Sequence, residues 1–281
     1  MIGSGRDVRN IGGVMAIQLN PLYAPNNRQL YDVEMGYERV HQDARRRFRR
    51  AGKMDFGDLN SRRVEKFRLF TAKEAAKIRK RMDEGINPVA DRSETLALLK
   101  KVFMPPLDAR LIAFFNSEYV PHAMSYDKIM PNEPFTHSDC WHCDGGPTNH
   151  LVMMIYLSGS RKKTANTLFT TGRMTDYLKV AGYVFCHMEQ RLADVSPIVN
   201  RFQLGQFEEI AFEIKAGEAI VFQSVNILHK RALPTQGPRY TITLALLPSP
   251  MPWLKACEKT GKPLRLGMRP TFENIPESEL P

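Results

Sequence analysis

Apolar positions along the chain change their period near residue 119, which divides the sequence into a helical part and a strand-rich part. Residues 1–60 are polar, rich in Gly, Asn and Arg, and show no period, so they read as a basic, irregular extension. Thr71-Ala72-Lys73-Glu74 has the form of a capping box ahead of Ala75, Ile78 and Met82, with Gly85 as the stop. A second helix is predicted from Ser93 through Leu96, Leu99 and Val102, ending before Pro105-Pro106, and a third over 108–115. Residues 61–118 therefore read as a helical support region.

From Tyr119 onward, short apolar segments are separated by Pro, Gly and Asn, the texture of antiparallel strands and turns. Residues 151–157 form a fully apolar strand bounded by Ser158-Gly159, and 167–171 form another ending at Gly172. Residues 210–214 and 218–222 flank Lys215-Ala216-Gly217, a tight hairpin signal, and 240–247 close the series before Pro248. Many short strands after a helical start predict a mainly β fold with flanking α-helices. The expected core is a double-stranded β-helix (jelly roll, cupin-like) over 119–250, with the N-terminal helical extension packed outside. Residues 173–205 interrupt the strands with mixed, partly helical sequence and read as a lid insertion, and 251–281 read as a tail.

A chain of 281 residues, 43% hydrophobic and 25% charged, is long and apolar enough for a sizeable core. It contains no run of about 18 apolar residues, so no membrane span is expected. The first residues lack a secretory pattern, and Cys140, Cys143, Cys186 and Cys257 are too few for a disulfide scaffold; a cytoplasmic location is the expectation. The net charge of +10 invites a nucleic-acid reading, with five arginines in 45–50 and more basic residues over 66–81 on what reads as a helix. A solvated basic face or arm is the plainer account of such runs. Oligomeric state has no signature here.

His142-Cys143-Asp144 places an imidazole and a carboxylate two apart, on one side of an extended strand, with His229 arriving from another strand. Two imidazoles and one carboxylate that leave open metal positions form the facial triad suited to non-heme Fe(II) and O₂. Arg239, ten positions after His229, offers a planar fork to the carboxylate of an acidic co-substrate. Ordinary core histidines and a surface arginine are the plainer alternative. His137-Ser138-Asp139 is a second His-x-Asp that spacing alone equally allows. Cys140-Trp141-His142-Cys143 is a C-x-x-C without the second pair of a zinc ribbon or the βαβ setting of a thioredoxin-like site. His41, His122, His150 and His187 lack a paired ligand pattern.

These residues resemble the 2-oxoglutarate-dependent Fe(II) oxygenase superfamily, especially its prolyl-hydroxylase-like and phytanoyl-CoA-hydroxylase-like members, over about 119–249. Trp141-His142-Cys143-Asp144-Gly145-Gly146 is similar to the first metal motif, and 151–157 to the strand after it. Thr167-Leu168-Phe169 stands where members have Gly-Gly-x-Thr-x-Phe, with Ala165-Asn166 in place of the glycines. Residues 215–222 are similar to the hairpin leading to the distal histidine, and His229 keeps the spacing to Thr235, Gly237, Arg239 and Tyr240. The resemblance favours His142 over His137. It implies a dioxygenase with Fe(2+) held by His142, Asp144 and His229, 2-oxoglutarate held by Arg239 with Thr241 as hydroxyl partner, and O₂ consumed. Tyr126 and Tyr156 are further candidates to touch the co-substrate. The implied reaction is hydroxylation of an unactivated C–H bond with release of succinate and CO₂; Asp144 argues against halogenation, which in relatives uses a small residue there. The expected substrate is a small molecule such as an amino acid or metabolite. Arg161, Lys162, Lys163, Lys230 and Arg231 near the expected mouth suggest an acidic group on it. A nucleic-acid or protein oxygenase of the same superfamily, and a non-catalytic cupin-like binding protein, are the alternatives.

Overall fold

A computed structural model describes residues 57–85, 92–144, 150–160, 164–183, 191–249 and 251–259. The basic run 45–50, Gly145-Gly146, the cations Arg161, Lys162 and Lys163, Cys186, His41, His187 and the tail after 259 lie outside these residues. The described chain opens with α1 (Gly57–Ser61), β1 (Val64–Arg68), α2 (Ala72–Asp83), α3 (Arg92–Val102) and α4 (Leu107–Phe115), then the long strand β2 (Glu118–Ile129). At the start of α2 the Glu74 N–H donates to Thr71 Oγ1 (3.2 Å) and the Thr71 N–H to the Glu74 carboxylate (2.9 Å), which satisfies two orphan donors. Gly85 stops the helix with a left-handed φ of 73°.

The stretch 64–68, expected within a helical region and with Lys66 on a helix, is instead an edge strand. β1 pairs antiparallel with β6, Val64 opposite Phe222 and Arg68 opposite Glu218. Val64 and Phe67 turn to the core, and pairing to an available sheet edge overrides the weak local preference of a short basic segment.

The remaining strands are β3 (Leu151–Tyr156), β4 (Asn166–Phe169), β5 (Ile210–Ala211), β6 (Glu218–Phe222), β7 (His229–Ala232) and β8 (Arg239–Ser249). They form a five-stranded sheet, β1-β6-β3-β8-β2, and a three-stranded sheet, β5-β4-β7. From β2 the chain passes back and forth between them: β2 lies in the large sheet, a bridge at His142 joins the small one, β3 returns to the large, β4 and β5 to the small, and β6, β7 and β8 alternate. This is a double-stranded β-helix. Lys215-Ala216-Gly217 does not form the expected hairpin. Its turn is closed by the Glu218 N–H on the Lys215 carbonyl (3.0 Å), but β5 pairs with β4 and β6 with β1 and β3, so the turn carries the chain between sheets. Gly217 takes φ 89°, and its carbonyl accepts from Leu69 and Phe70 N–H (3.0 and 2.9 Å), bringing two backbones where a side chain would stand.

Strand alternation sorts the core into layers. Met153, Ile155, Ile242 and Leu244 on the outer face of the large sheet pack against Leu99, Leu111 and Phe115 of the helices. Between the sheets lie Val152, Tyr156, Phe169, Ile220, Phe222 and Ile227. Behind the small sheet, Trp141, Cys143, Leu168 and Leu228 pack with Met174 and Leu178 of α5 (Gly172–Val180) and with Ile198 and Val199 of α6 (Ser196–Arg201). The described parts of 173–205 thus back the small sheet, and 184–190 of that insertion lie outside the described residues. Arg63 ties α5 to the loop before β7: its Nη1 donates to Asp176 (2.8 Å) and to the Asn226 carbonyl (2.6 Å). A last helix, α7 (Trp253–Lys259), sets Trp253 against Phe103.

Candidate metal centre

The His142 N–H donates to the His229 carbonyl (2.9 Å) and the His229 N–H to the His142 carbonyl (2.8 Å), so residues 87 positions apart sit on adjacent backbones. The Asp144 N–H continues the pairing onto the Ser224 carbonyl (2.9 Å). His142 Nδ1 lies 2.7 Å from the Cys140 carbonyl and His229 Nδ1 3.0 Å from that of Ile227. A carbonyl only accepts, so each ring carries a proton on Nδ1 and turns Nε2 toward the cluster. The two Nε2 atoms are 3.6 and 3.7 Å from Asp144 Oδ1, and all three ligand atoms lie within 4.8 Å of one another.

Both imidazoles are buried, while the Asp144 side chain keeps 34% of its surface and opens the cluster to one side. Burial, reinforced by His229, pushes the His142 pKa down to about 3, so its ring is neutral. Burial also opposes charge on Asp144, but the His229 and His142 rings and the Ser224 hydroxyl outweigh it and hold the carboxyl below its usual range. Ser224 Oγ in turn lies 3.2 Å from buried His150 Nδ1. The Phe222 and Phe169 rings, 4.9 and 6.2 Å from His229 between centroids, wall the site. Two imidazole nitrogens and one carboxylate oxygen converging from one side, with the other side open, fit a divalent ion such as Fe(II).

Arg239 and Thr241 lie two apart on the inner face of β8, and both are buried. Arg239 Nη1 donates to the Asn166 carbonyl (2.8 Å), and the guanidinium carbon lies 5.9 Å from the centre of the Tyr156 ring. Arg239 Nε and Thr241 Oγ1 have no hydrogen-bond partner among the described residues. Burying such groups unpaired costs about 1–3 kcal/mol each, and a carboxylate with acceptor lone pairs to spare satisfies both. On β4, Asn166 stands three residues before Phe169, which pairs with His229, so the strand that anchors Arg239 also runs beside the cluster.

Asn166 is a residue whose role the sequence did not announce. Its Nδ2 donates to the Phe212 carbonyl (2.7 Å) and its Oδ1 accepts from the Thr167 N–H (2.8 Å), which fixes the strand end that meets Arg239. Ala165 before it holds a left-handed φ of 55°, a conformation glycine adopts freely and alanine at a cost of about 1–2 kcal/mol. Tyr156 faces the site, its hydroxyl 3.1 Å from Thr167 Oγ1. Tyr126 does not: strand alternation turns it to the outer face, where it lines a groove with Arg81, Glu94 and Leu98 of the helices.

The rival pair separates. His137 is exposed in a 3-10 turn (His137–Asp139), and the Asp139 carboxylate is clasped by Arg231, Nε to Oδ1 at 2.7 Å and Nη2 to Oδ2 at 2.9 Å. Cys140 and Cys143 are both buried free thiols whose pKa values burial raises, and Cys143 faces the cluster behind the small sheet. Arg231 also pairs with Glu133 (3.4 Å), and Lys230 with Glu209 (3.3 Å) while standing 4.6 Å over the Trp141 ring. The chain's own carboxylates therefore neutralise these two cations, against their expected role in recognising an acidic substrate.

No family model matches the chain, and no curated protein matches it. Solved structures do. The chain is similar to EctD from S. alaskensis with bound Fe, at 15% identity over 79% of this chain and 89% of that one, with a TM-score of 0.49. It is similar to the non-heme alpha ketoglutarate dependent carbocyclase SnoK from nogalamycin biosynthesis, at 10% identity over 70% and 84% of the two chains and a TM-score of 0.47. A third is HygX from Streptomyces hygroscopicus with nickel and 2-oxoglutarate bound, at 10% identity over 71% and 88%, with a TM-score of 0.44. The solved structures to which this chain is similar thus include proteins crystallised with iron and with 2-oxoglutarate, and the jelly-roll fold itself is carried by the chain's own strand pairing.

Proposed function

We propose that this protein is an Fe(II)- and 2-oxoglutarate-dependent dioxygenase that hydroxylates an unactivated C–H bond of a small molecule. The observation that carries this reading is the buried, unpartnered pair of Arg239 Nε and Thr241 Oγ1 on the strand face that looks toward the His142, Asp144 and His229 cluster. When bound, iron and 2-oxoglutarate supply the oxidative chemistry, in which one O₂ is consumed, 2-oxoglutarate leaves as succinate and CO₂, and one oxygen enters the substrate.

The chain's residues have separable roles in that reading. His142 and His229 hold the metal through Nε2, with the Cys140 and Ile227 carbonyls fixing ring orientation and tautomer. Asp144 lowers the cost of burying a dication and leaves the open side for co-substrate and O₂. Arg239 and Thr241 bind the distal carboxylate, with the Tyr156 ring flanking the guanidinium. Phe169 and Phe222 keep water from the back of His229. Residues 119–250 form the catalytic body, and α2, α3 and α4 back its large sheet. A barrel that merely binds a ligand has no need of both a carbonyl-anchored imidazole pair and a buried arginine in search of an anion.

Anaerobic addition of Fe(II) and 2-oxoglutarate to the full chain tests the reading. A weak visible metal-to-ligand absorption band is expected, and succinate is expected on admission of air. Folded protein that shows no band rejects the co-substrate assignment.

A further inference from the structure

Asp127 stands on the inner face of β2, the face that β8 lines with Arg239, Thr241 and Thr243. Alternation fixes this orientation: Met124 and Tyr126 pack toward the helices, and Lys128 reaches Asp83 of α2 (2.7 Å) on that same outer side. Asp127 pairs in register with Thr241, next to the co-substrate end of the site. Its Oδ2 accepts from Ser125 Oγ and from Thr243 Oγ1, both at 3.1 Å. These hydroxyls pin one carboxylate oxygen and leave Oδ1 to a ligand. The residue is half-buried, and among the described residues no lysine, arginine or histidine forms an ion pair with it. Of the cations around it, Arg239 stands on the same inner face of β8 and interacts with it electrostatically, and Lys128 is committed to Asp83.

Charge balance gives this carboxylate a purpose. On the proposed reading, the two positive charges of Fe(II) and the one of Arg239 match the single charge of Asp144 and the two of 2-oxoglutarate. The loaded centre is neutral without Asp127. Asp127 therefore adds one further negative charge on this half-buried face, beyond what Arg239 balances once a co-substrate carboxylate occupies it. A cation brought by the substrate balances that charge and gains a charge-assisted hydrogen bond.

We infer that Asp127 recognises a positively charged nitrogen, so that the substrate of this site is a small molecule bearing an amine or guanidine. This rests on the proposed iron and 2-oxoglutarate site, and it replaces the acidic substrate group that the sequence suggests with one of opposite charge.

The test uses the anaerobic Fe(II) and 2-oxoglutarate complex of the full chain. Methylammonium, putrescine and the common amino acids are added, each beside its fully N-acetylated form, while the visible band is followed; succinate formation is then measured in air. At least one charged amine is expected to shift the band and raise succinate formation, and its acetylated form is not. Asp127→Asn, which keeps the shape and the hydroxyl contacts, is expected to retain the band and weaken the amine response at least about tenfold. Thr243→Val, which frees the carboxylate, is expected to weaken it by a smaller factor and serves if Asp127→Asn fails to fold. A panel in which no charged amine acts overturns the inference. So does equal action by acetylated forms, or an unchanged response in the variants. A missing band in the wild type removes the iron and 2-oxoglutarate reading, and this inference with it, whereas a normal band without an amine response strikes Asp127 alone.

Discussion

His142 and His229 exchange backbone hydrogen bonds at 2.9 and 2.8 Å, so the two imidazoles of the candidate metal centre belong to directly paired residues. The pairing sets their rings 4.4 Å apart between centroids.

Removing either imidazole should therefore abolish tight metal binding. His142→Ala and His229→Ala are expected to lose Fe(II) or Co(II) in anaerobic equilibrium dialysis, and His137→Ala to retain it. Retention by His142→Ala together with loss by His137→Ala would move the site to the upstream pair.

Arg239 presents a fork that lysine does not copy. Arg239→Lys is expected to weaken 2-oxoglutarate binding about 10- to 100-fold, the worth of a lost charged hydrogen bond, and Thr241→Val by about tenfold or less. Iron affinity without 2-oxoglutarate should be unaltered in both. Titrating the visible band with 2-oxoglutarate separates the two constants.

The Arg231 and Asp139 clasp has side chains 14% and 6% exposed and gives a pH-dependent prediction. Burial opposes charge on Asp139, but Arg231 and the Thr136 N–H outweigh it and hold the carboxyl below its ordinary 3.8. A depressed pKa contributes stability that is complete above about pH 4 and is lost as the pH falls through the folded-state value. Arg231→Met leaves a buried carboxylate unpaired, with an expected loss of about 3–5 kcal/mol near pH 7. That deficit should shrink toward about pH 3, because the unpaired buried carboxyl of the variant protonates at higher pH than the clasped one. Urea unfolding at the two pH values measures it; a deficit independent of pH would assign the effect to packing.

Gly217→Ala should destabilise the fold while leaving the metal site's composition intact. A Cβ there meets the Phe70 carbonyl, and the residue already needs φ 89°. Left-handed backbone costs about 1–2 kcal/mol for alanine and overpacking about 1–3 kcal/mol more. A lower urea midpoint at unchanged m is the expected reading.

Much of this was legible in the sequence because it depends on local rules. The capping box at Thr71 and Glu74 marks α2, and two-residue spacing puts His142 and Asp144 on one side of the backbone whatever the rest of the fold does. What stayed hidden depends on partners far away in the chain. β1 is a strand because β6 offers an edge, and Lys215-Ala216-Gly217 changes sheet because β5 and β6 find different neighbours. Arg231 resembles a substrate-binding cation until Asp139, 92 positions upstream, is seen beside it. Tyr126 and Asp127 are adjacent, and only the side on which the helices pack decides that the aspartate, not the tyrosine, faces the barrel.

The same alternation has a consequence for which elements the centre accepts. Trp141 and Cys143 interleave with His142 and Asp144 and point into the packed layer behind the small sheet. Sliding the His142 and His229 pairing by one position would turn an indole and a thiol inward in place of an imidazole and a carboxylate, leaving a single soft sulfur where a nitrogen and an oxygen donor stand. Hydrogen-bond register, as much as the choice of residues, thus decides which donor atoms face the barrel.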